Sequence, residues 1–471
     1  MNHMGIATLL LTSVIALSSC GDNADKKLDN KSGGPAALVY TNGVTDANKG
    51  AKKGPVELKG NIAFPNAKKV YLWATYGKTN TLIDSAAVSG GSWSFGSKER
   101  VQGIYMLGLA ENNLTSIILN PSEAVSEIGI RSGRVEGSAY AVNSKENEGW
   151  FAYLPKETAI LKAIKDARVA MAKSSLKGEY EKQISTKEAE LSQLQAEMIA
   201  AYPNTHFAKL VTWKQEPTKT EIAKYWDNVD FTDQSLIHGT IMSDRIQNFM
   251  RGFSKGTESG FINCVATVAE KAKADDVVLE FMLNQMLVGF YESGMENICT
   301  YIIDNYVNGD ACGDADLSNI IKSTAESIQK ISVGNTPPNI QMTGIDGKSV
   351  DLMKIAASKK YTLVMFWSSW CEHCKGEAPE VKQCYDLFKP KGFEIVGVSV
   401  DNVKGAWEAA VADRGFTFPN VCGMKLWESK AAKDYRVTKT PAFFLLDSTG
   451  RIVLKPKGIR EVQAFLNQNL K

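Results

Sequence analysis

Residues 361–379 read YTLVMFWSSWCEHCKGEAP, and this stretch decides the fold of the C-terminal part of the chain. Its first seven residues form a continuous apolar run, which is typical of a strand buried on both faces. Residues 377–390 then show apolar positions at helical spacing. Two cysteines of a CxxC pair, Cys371 and Cys374, therefore fall where a strand ends and a helix begins.

These two cysteines are predicted to form a redox-active pair. A cysteine at a helix N-terminus meets free backbone N–H groups and the positive end of the helix dipole, and both favour the thiolate. Cys374 lies one turn deeper in the helix, close enough to form a disulfide with Cys371. The pair can then exchange electrons with a foreign disulfide, because Cys371 attacks it and Cys374 resolves the mixed disulfide. A structural zinc site would need two further ligands at similar spacing, so we predict no metal site and no cofactor.

The residues around the junction predict an α/β domain over 333–471. An entry hairpin turns at Gly347, and residues 393–400, FEIVGVSV, read as a second buried strand. Helical segments, a hairpin around residues 442–455 and a closing helix follow. Strands that alternate with helices in this way favour a central sheet covered by helices.

These motifs resemble the thioredoxin fold and, within it, the TlpA/ResA-type envelope thiol–disulfide oxidoreductases. FWSSWCEHC is similar to their FWASWCxxC, and residues 435–453, YRVTKTPAFFLLDSTGRIV, are similar to their YxVxxxPTxFLIDxxGxIV. The resemblance implies that Pro441 is a cis-proline facing the cysteines. It also implies that the backbone around Thr440 is exposed for pairing with a substrate strand.

One departure from the thioredoxin pattern concerns the acid near the cysteines. Many thioredoxins carry a buried aspartate six residues before the first active cysteine, and here that position is Met365. Glu377 lies about one turn beyond Cys374 on the same helix. It matches the glutamate of the envelope family's CxxCxxExP. A partly buried carboxylate there would exchange a proton with Cys374. A plain surface glutamate is the alternative.

His373 and Trp370 are expected to tune the pair or to contact substrate. Many relatives have proline in place of His373, whereas disulfide isomerases and oxidases often have histidine. A partly protonated imidazole would stabilise the Cys371 thiolate, and with it the reduced form. The direction of electron flow therefore stays open. The whole-domain match favours a reductase, and His373 favours a potential less negative than that of thioredoxin.

The chain is predicted to be multidomain, because 471 residues exceed a single core. Residues 56–143 show short β-rich runs divided by turns and predict a sandwich-like domain. Residues 144–332 show helical spacing and predict an α-helical domain. Both regions resemble those that precede thioredoxin modules in Bacteroidota envelope lipoproteins. In this region His206 and His238 lack a nearby ligand set and are expected to be structural.

The N-terminus predicts a lipoprotein signal peptide over residues 1–20. An apolar run from Ile6 to Leu17 is too short to span a bilayer and ends at LSSC, which resembles a lipobox with Cys20 as the lipidated residue. A buried N-terminal helix is the alternative. Residues 21–55 are polar and predict a flexible tether. The expected location is the bacterial cell envelope, at the outer membrane facing the periplasm, with surface exposure left open.

Composition narrows the range of partners. A net charge of +2 and the lack of a basic stripe give no sign of a nucleic-acid partner. The expected partners are protein thiols and disulfides, a membrane dithiol donor, and the membrane itself through the lipid anchor. The pairing of the remaining cysteines stays open, including a Cys384–Cys422 or a Cys299–Cys312 bridge and a mate for Cys264.

The sequence thus predicts an envelope thiol–disulfide oxidoreductase that reduces protein disulfides. Two alternatives stay open. Peroxiredoxins share the fold, but they place a threonine or serine and a proline in a PxxxTxxC arrangement, where this chain has FWSSWC. A non-catalytic lipoprotein could instead use a thioredoxin-fold module for docking. The intact Cys371, Cys374 and Pro441 argue against that second alternative.

Overall fold

The structure is a computed structural model of the chain, and it describes residues 52–216, 222–308 and 319–470. The predictions of a signal peptide, of lipidation at Cys20 and of most of the tether lie outside these residues. So does Cys312, one partner of the bridge considered above.

The N-terminal region consists of two four-stranded sheets that share one apolar core. The sheet orders are β4-β1-β7-β8 and β3-β2-β5-β6. Alternate residues of their strands, such as Val56 and Leu58 in one sheet and Val70 and Leu72 in the other, point into this core. The first strand begins inside the stretch predicted as the tether. The strands are β1 (Lys53–Ile62), β2 (Lys69–Tyr76), β3 (Thr79–Ala87), β4 (Ser92–Val101), β5 (Gly103–Ala110), β6 (Asn113–Leu119), β7 (Val125–Ile130) and β8 (Ala139–Asn143).

The middle region is helical. Its helices are α1 (Lys145–Lys173), α2 (Lys177–Ala201), α3 (His206–Lys214), α4 (Ile241–Phe253), α5 (Glu258–Ala272), α6 (Asp276–Glu292), α7 (Glu296–Ile302) and α8 (Asn319–Lys330). The predicted helical stretch before Pro203 is divided at Ser174, and α1 and α2 form an antiparallel pair in which Arg168 bonds Glu188. Within the described residues, no helix has both the length and the apolar character that crossing a bilayer requires.

The helical patterns of residues 218–229, TKTEIAKYWDNV, and of residues 262–294 each predict one helix, and the structure differs at both. Residues 222–226 form a short 3₁₀ turn rather than part of a helix. Residues 262–294 belong to two helices, α5 and α6, because Asp275 caps the second one by accepting the N–H groups of Val277 and Val278.

The C-terminal region is an α/β unit around a five-stranded sheet of order β13-β12-β11-β14-β15, preceded by the hairpin β9-β10. The strands β11, β12 and β13 are parallel to one another, β14 is antiparallel to β11, and β15 is antiparallel to β14. The elements are β9 (Gln341–Thr343), β10 (Ser349–Asp351), α9 (Leu352–Ala357), β11 (Tyr361–Trp367), α10 (Glu372–Phe388), β12 (Phe393–Ser399), α11 (Lys404–Asp413), β13 (Asn420–Cys422), α12 (Lys430–Asp434), β14 (Ala442–Asp447), β15 (Ile452–Leu454) and α13 (Ile459–Asn469). The predicted order of a β-rich, a helical and an α/β region is confirmed.

The central strand β11 is buried on both faces, as its apolar run predicts. Leu363, Met365 and Trp367 pack with α10, α11 and α13, whereas Val364 and Phe366 pack with α9 and α12 on the other face. This alternation follows from the two-residue period of a strand. The C-terminal end of β11 leads through a short turn to the start of α10.

The helical region packs against the sheet face opposite α10. Tyr291 at the end of α6 contacts this apolar face, and its hydroxyl donates to the Tyr435 carbonyl at 3.3 Å. Lys455 forms an ion pair with Glu296, and Arg436 donates to Ser327 at 3.0 Å. The start of α10 is therefore left uncovered by the helical region.

Candidate active site

The two cysteines of the CxxC pair lie at the first turn of α10. Cys371 caps the helix, because its sulfur accepts the backbone N–H of Cys374 at 3.1 Å. An N-cap position is where the first backbone N–H groups lack partners within the helix. Both side chains are free thiols and largely buried, with 7% and 5% of their surface exposed. The structure therefore shows the dithiol form of the pair, in which the Cys374 N–H points at the Cys371 sulfur.

A second loop meets the pair from β14. The peptide bond between Thr440 and Pro441 is cis, as the resemblance implied. Because β14 pairs directly with β11, with Ala442 opposite Phe366, the loop before β14 lies beside the start of α10. The thiol of Cys371 donates to the Thr440 carbonyl at 3.3 Å. Cys371 therefore lies between a helix N-terminus and the loop that carries Pro441.

Cys374 differs from Cys371 in its surroundings. Burial raises the pKa of the Cys374 thiol, and the contact with Cys371 raises it further. Hydrogen bonds with the Ser368 backbone and the Thr440 side chain act in the opposite direction. Desolvation favours the neutral form of a thiol. Cys374 therefore needs a base before it can act as a nucleophile.

A small cavity lies behind Cys374 and contains one acid. Its lining consists of Met365, Trp367, Cys374, Glu377, Val381, Arg414, Phe416, Pro441 and Phe443. Met365 on β11 and Glu377 on α10 thus face the same space. The acid in this cavity is Glu377 of α10. At the position of Met365 on β11, where many thioredoxins carry a buried aspartate, this chain has no acid.

The Glu377 carboxylate is held at the start of α13. It accepts the backbone N–H of Ile459, and Gly458 allows this approach because a Cβ there would lie 3.0 Å from Oε1. Burial raises the pKa of Glu377, and the nearby Glu380 raises it too. The atom Oε2 is buried and has no hydrogen-bond partner among the described residues. One carboxylate oxygen is therefore free to receive a proton within the cavity.

The other two predicted site residues lie at the surface. Trp370 is 52% exposed, and its ring meets that of Trp427 edge-on at a centroid distance of 6.0 Å. His373 is exposed on the first turn of α10. Both residues flank the cysteine pair on its solvent side.

Sequence reasoning missed two residues that bond the turn before Cys371. Asp401 accepts the N–H and hydroxyl of Ser369, and Arg414 donates to the carbonyls of Ser368 and Ser369. A signal for Asp401 was present, because it follows the buried strand β12, and the carboxyl ends of neighbouring parallel strands share one edge of the sheet. Arg414 gave no such signal.

The remaining described cysteines are free thiols. Cys264, Cys299 and Cys384 are buried, and burial raises the pKa of each thiol. Cys422 is half-buried, and its thiol donates to the Asp401 carbonyl at 3.3 Å. The Cys384–Cys422 bridge is not formed in this structure. Within the described residues, no cluster of three or more histidine, cysteine, aspartate or glutamate side chains is arranged to hold a metal ion.

Comparisons with known proteins agree with this arrangement. Residues 333–455 match the model of the AhpC/TSA family. The thiol–disulfide oxidoreductase ResA of Bacillus subtilis is 32% identical over 125 residues, which are 26% of this chain and 67% of that protein. ResA of Bacillus anthracis is 30% identical over 125 residues, which are 26% of this chain and 69% of that protein.

Solved structures are similar over the same region. The crystal structure of the thioredoxin domain of a thiol–disulfide oxidoreductase from Bacteroides vulgatus is 28% identical, with a TM-score of 0.28, and covers 30% of this chain and 99% of that domain. The family assignment rests on the two ResA proteins, because the match covers 67% and 69% of their length. Through its C-terminal region, the chain belongs to the ResA-type family of thiol–disulfide oxidoreductases.

Proposed function

We propose that this enzyme reduces protein disulfides in the bacterial envelope through Cys371 and Cys374. One observation carries the proposal: the Cys371 sulfur lies between the Cys374 N–H at 3.1 Å and the Thr440 carbonyl at 3.3 Å, beside the cis-proline. The first contact stabilises a thiolate, because hydrogen bonds to a charged group are stronger than those between neutral groups. The contact with the Thr440 carbonyl places the Cys371 sulfur next to the backbone with which a substrate strand would pair.

The first step forms a mixed disulfide. The Cys371 thiolate attacks one sulfur of the substrate disulfide, a new S–S bond forms, and the substrate's S–S bond breaks. The released substrate thiolate takes a proton from solvent. Cys371 suits this role because it caps the helix, whereas Cys374 lies deeper beside the cavity.

The second step releases the substrate. Glu377 accepts the proton of Cys374, which attacks the Cys371 sulfur and expels the second substrate thiolate. That thiolate takes the proton, so two electrons pass from the dithiol to the substrate, and the enzyme is left with a Cys371–Cys374 disulfide. Glu377 is suited to this role because its raised pKa, caused by burial, lies closer to that of a thiol.

The direction of electron flow follows from the resemblance alone, whereas His373 bears on the midpoint potential. The enzyme acts as a reductase and is reduced again by a membrane dithiol donor. The exposed His373 stabilises the Cys371 thiolate, so the midpoint potential is less negative than about −270 mV, the value typical of thioredoxin. A measured potential at or below that value would contradict this part of the proposal.

The location follows from the N-terminal sequence. Cys20 is lipidated and becomes the first residue when the signal peptide is cleaved before it, and the polar residues between Cys20 and β1 tether the enzyme to the outer membrane on its periplasmic side. Metabolic labelling with a radioactive fatty acid tests this, because the Cys20→Ser variant is expected to lose the label. Equal labelling of both proteins would reject the anchor.

The experiment that tests the redox proposal is reduction of insulin disulfides by dithiothreitol. The wild-type enzyme is expected to accelerate it, and Cys371→Ser is expected to show the uncatalysed rate. Cys384→Ser is the matched control, because that cysteine lies on the same helix but is packed in the apolar core.

The same assay separates the alternatives. Equal activity of wild type and Cys371→Ser would reject the redox role and favour a docking module. Turnover of hydrogen peroxide that depends on Cys371 would favour a thiol peroxidase. Val364 stands against a peroxidase, because it occupies the position of the proline in the PxxxTxxC arrangement.

A further inference from the structure

The turn between β11 and α10 is held by a buried carboxylate that the proposed chemistry does not use. Asp401 follows β12 and is 2% exposed. Its Oδ2 accepts the backbone N–H of Ser369 at 2.9 Å, and its Oδ1 accepts the Ser369 hydroxyl at 2.6 Å. The Ser399 hydroxyl also donates to Oδ2, at 2.6 Å. A buried carboxylate must be hydrogen-bonded, and two of these three donors belong to one residue of the turn.

A guanidinium holds the same turn from its carbonyl side. Arg414 follows α11 and donates from Nη1 to the Ser368 carbonyl at 3.1 Å and from Nη2 to the Ser369 carbonyl at 2.8 Å. Its guanidinium carbon lies 4.8 Å from the centre of the Trp367 ring, the last residue of β11. The rigid fork of an arginine suits two adjacent carbonyls, whereas a lysine offers a single cationic point.

Ser368 connects the contacts of Asp401 and Arg414 with both cysteines, because its backbone forms hydrogen bonds with Cys371 and with Cys374. The Cys371 N–H donates to the Ser368 carbonyl at 3.4 Å, the same carbonyl that Arg414 bonds. The Cys374 thiol makes a hydrogen bond with the Ser368 backbone. A shift of Ser368 would therefore move the Cys371 backbone and change the environment of the Cys374 sulfur.

We propose that Asp401 and Arg414 are positioning residues that fix Ser368 and Ser369 and so hold Cys371 where the Cys374 N–H stabilises its thiolate. The inference rests on the proposed redox role of the two cysteines. Loss of either positioning residue loosens the turn and weakens the bond from the Cys374 N–H to the Cys371 sulfur. The reduced form then loses part of its stabilisation, and the equilibrium moves toward the disulfide.

The test compares Arg414→Gln with Arg436→Gln in the full chain. Both arginines are half-buried, lie over an aromatic ring and donate to a neighbour, but Arg436 bonds Ser327 on the opposite side of the module. The readouts are the alkylation rate of Cys371 at pH 7 and the equilibrium of the cysteine pair with glutathione. Circular dichroism checks that each variant folds.

Arg414→Gln is expected to lower the alkylation rate about tenfold and to move the glutathione equilibrium toward the disulfide by a similar factor, the effect of one hydrogen bond to a charged group. Arg414→Lys should recover part of the loss. Arg436→Gln should leave both readouts at the wild-type value. Equal values for Arg414→Gln and Arg436→Gln would overturn the inference.

A milder variant keeps the inference testable if Arg414→Gln does not fold. Ser369→Ala removes only the 2.6 Å bond to Asp401 and is expected to change both readouts about threefold in the same direction. Wild-type values for Ser369→Ala and Arg414→Lys together would also overturn it. Failure of the proposed function looks different, because the wild-type protein itself would then show no exchange with glutathione at Cys371 and Cys374.

Discussion

Glu377 and His206 are both titratable groups with a buried atom that lacks a hydrogen-bond partner among the described residues, and they differ in whether a reactive group lies beside them. Behind Cys374, the Glu377 atom Oε2 has no hydrogen-bond partner among the described residues. In the helical region, neither ring nitrogen of His206 has one there. A buried polar atom without a partner costs free energy in both places.

The surroundings of the two groups differ. His206 is 1% exposed, its ring meets Trp213 edge-on at 5.9 Å, and burial lowers its pKa to about 3. His238 nearby is also buried, and burial lowers its pKa to about 4. Both imidazoles are therefore neutral at pH 7. Glu377 instead shares its cavity with Cys374, whose backbone N–H donates to the Cys371 sulfur.

Burial with a shifted pKa therefore does not by itself mark an active site. The cavity behind Cys374 adds a nucleophile next to the acid and a route to the surface through Cys371. The site around His206 has neither, and its unpartnered nitrogens are a cost that the aromatic packing of the helical region offsets. Four experiments test this contrast.

The largest effect is expected from Cys374→Ser. The variant should form the mixed disulfide through Cys371 and then stop, because no thiol is left to resolve it. Turnover of insulin should fall to the uncatalysed rate. Non-reducing electrophoresis should show a stable complex with substrate that dithiothreitol releases.

The matched control for that variant is Cys299→Ser. Cys299 is buried beside the helical core, so full activity is expected, although stability can fall. Loss of activity in Cys299→Ser would show that a core cysteine also takes part in exchange. Full turnover in Cys374→Ser would contradict the two-cysteine mechanism.

Glu377→Gln is expected to slow the resolving step about a hundredfold, the usual size of a general-base contribution. The base must be ionised, and burial raises the pKa of Glu377, so the wild-type rate should rise with pH through a value above that of a free glutamate. This rise should disappear in the glutamine variant. Stopped-flow measurement of substrate release from the mixed disulfide gives the rate at each pH.

Glu380→Gln is the control for this effect. Glu380 lies on the same helix, three residues further, but is paired with Arg460. Its loss should leave the maximal rate unchanged and move the pH dependence only toward lower pH, because Glu380 helps to raise the pKa of Glu377. A similar loss in both variants would mean that the charge of α10, rather than a base in the cavity, drives resolution.

The histidine site predicts an effect on stability alone. The folded pKa of His206 lies below the unfolded value of about 6.5, so the unfolded chain binds the proton first and stability is lost as pH falls from that value toward the folded pKa. Between pH 6.5 and pH 4.5 this one residue should cost about 2 kcal/mol. Urea unfolding of His206→Phe should show a correspondingly smaller loss on acidification.

The charged neighbours of His206 modify this effect without reversing it. Asp233 raises its pKa, whereas Lys209 and His238 lower it, and burial is the largest cause. Insulin reduction by His206→Phe at pH 7 should equal that of the wild type. A loss of activity in His206→Phe would mean that the His206 site, like the cavity behind Cys374, takes part in the reaction.

The sequence was sufficient for the parts of the site that depend on neighbours along the chain. An apolar strand followed by CxxC places both cysteines at a helix start, and the motif around Pro441 identifies the facing loop. Glu377 could be predicted because it lies one helical turn from Cys374, although its contact with the start of α13 could not.

The sequence was not sufficient where distant segments meet. Asp401 reaches Ser369 because β12 pairs beside β11, which its place after a buried strand could have indicated, whereas Arg414 reaches Ser369 because α11 returns across the sheet, which no sequence pattern indicates. The division of α5 from α6 was missed for a local reason. The good helix formers of residues 270–274, EKAKA, continue up to Asp275, but Asp275 caps a new helix there.

The smallest effect is expected at the rim of the site. Trp370 is half-exposed and meets Trp427 edge-on, so it can offer an apolar surface to a substrate but does not touch the cavity. Trp370→Ala should therefore raise KM about fivefold and leave kcat unchanged, since one aromatic contact contributes about 1 kcal/mol. Trp427→Ala should act in the same direction and more weakly, because it removes only the support of that ring. A fall in kcat with an unchanged KM would mean that Trp370 acts on the cysteine pair itself, and the reactive site would then extend from the buried cavity to the surface.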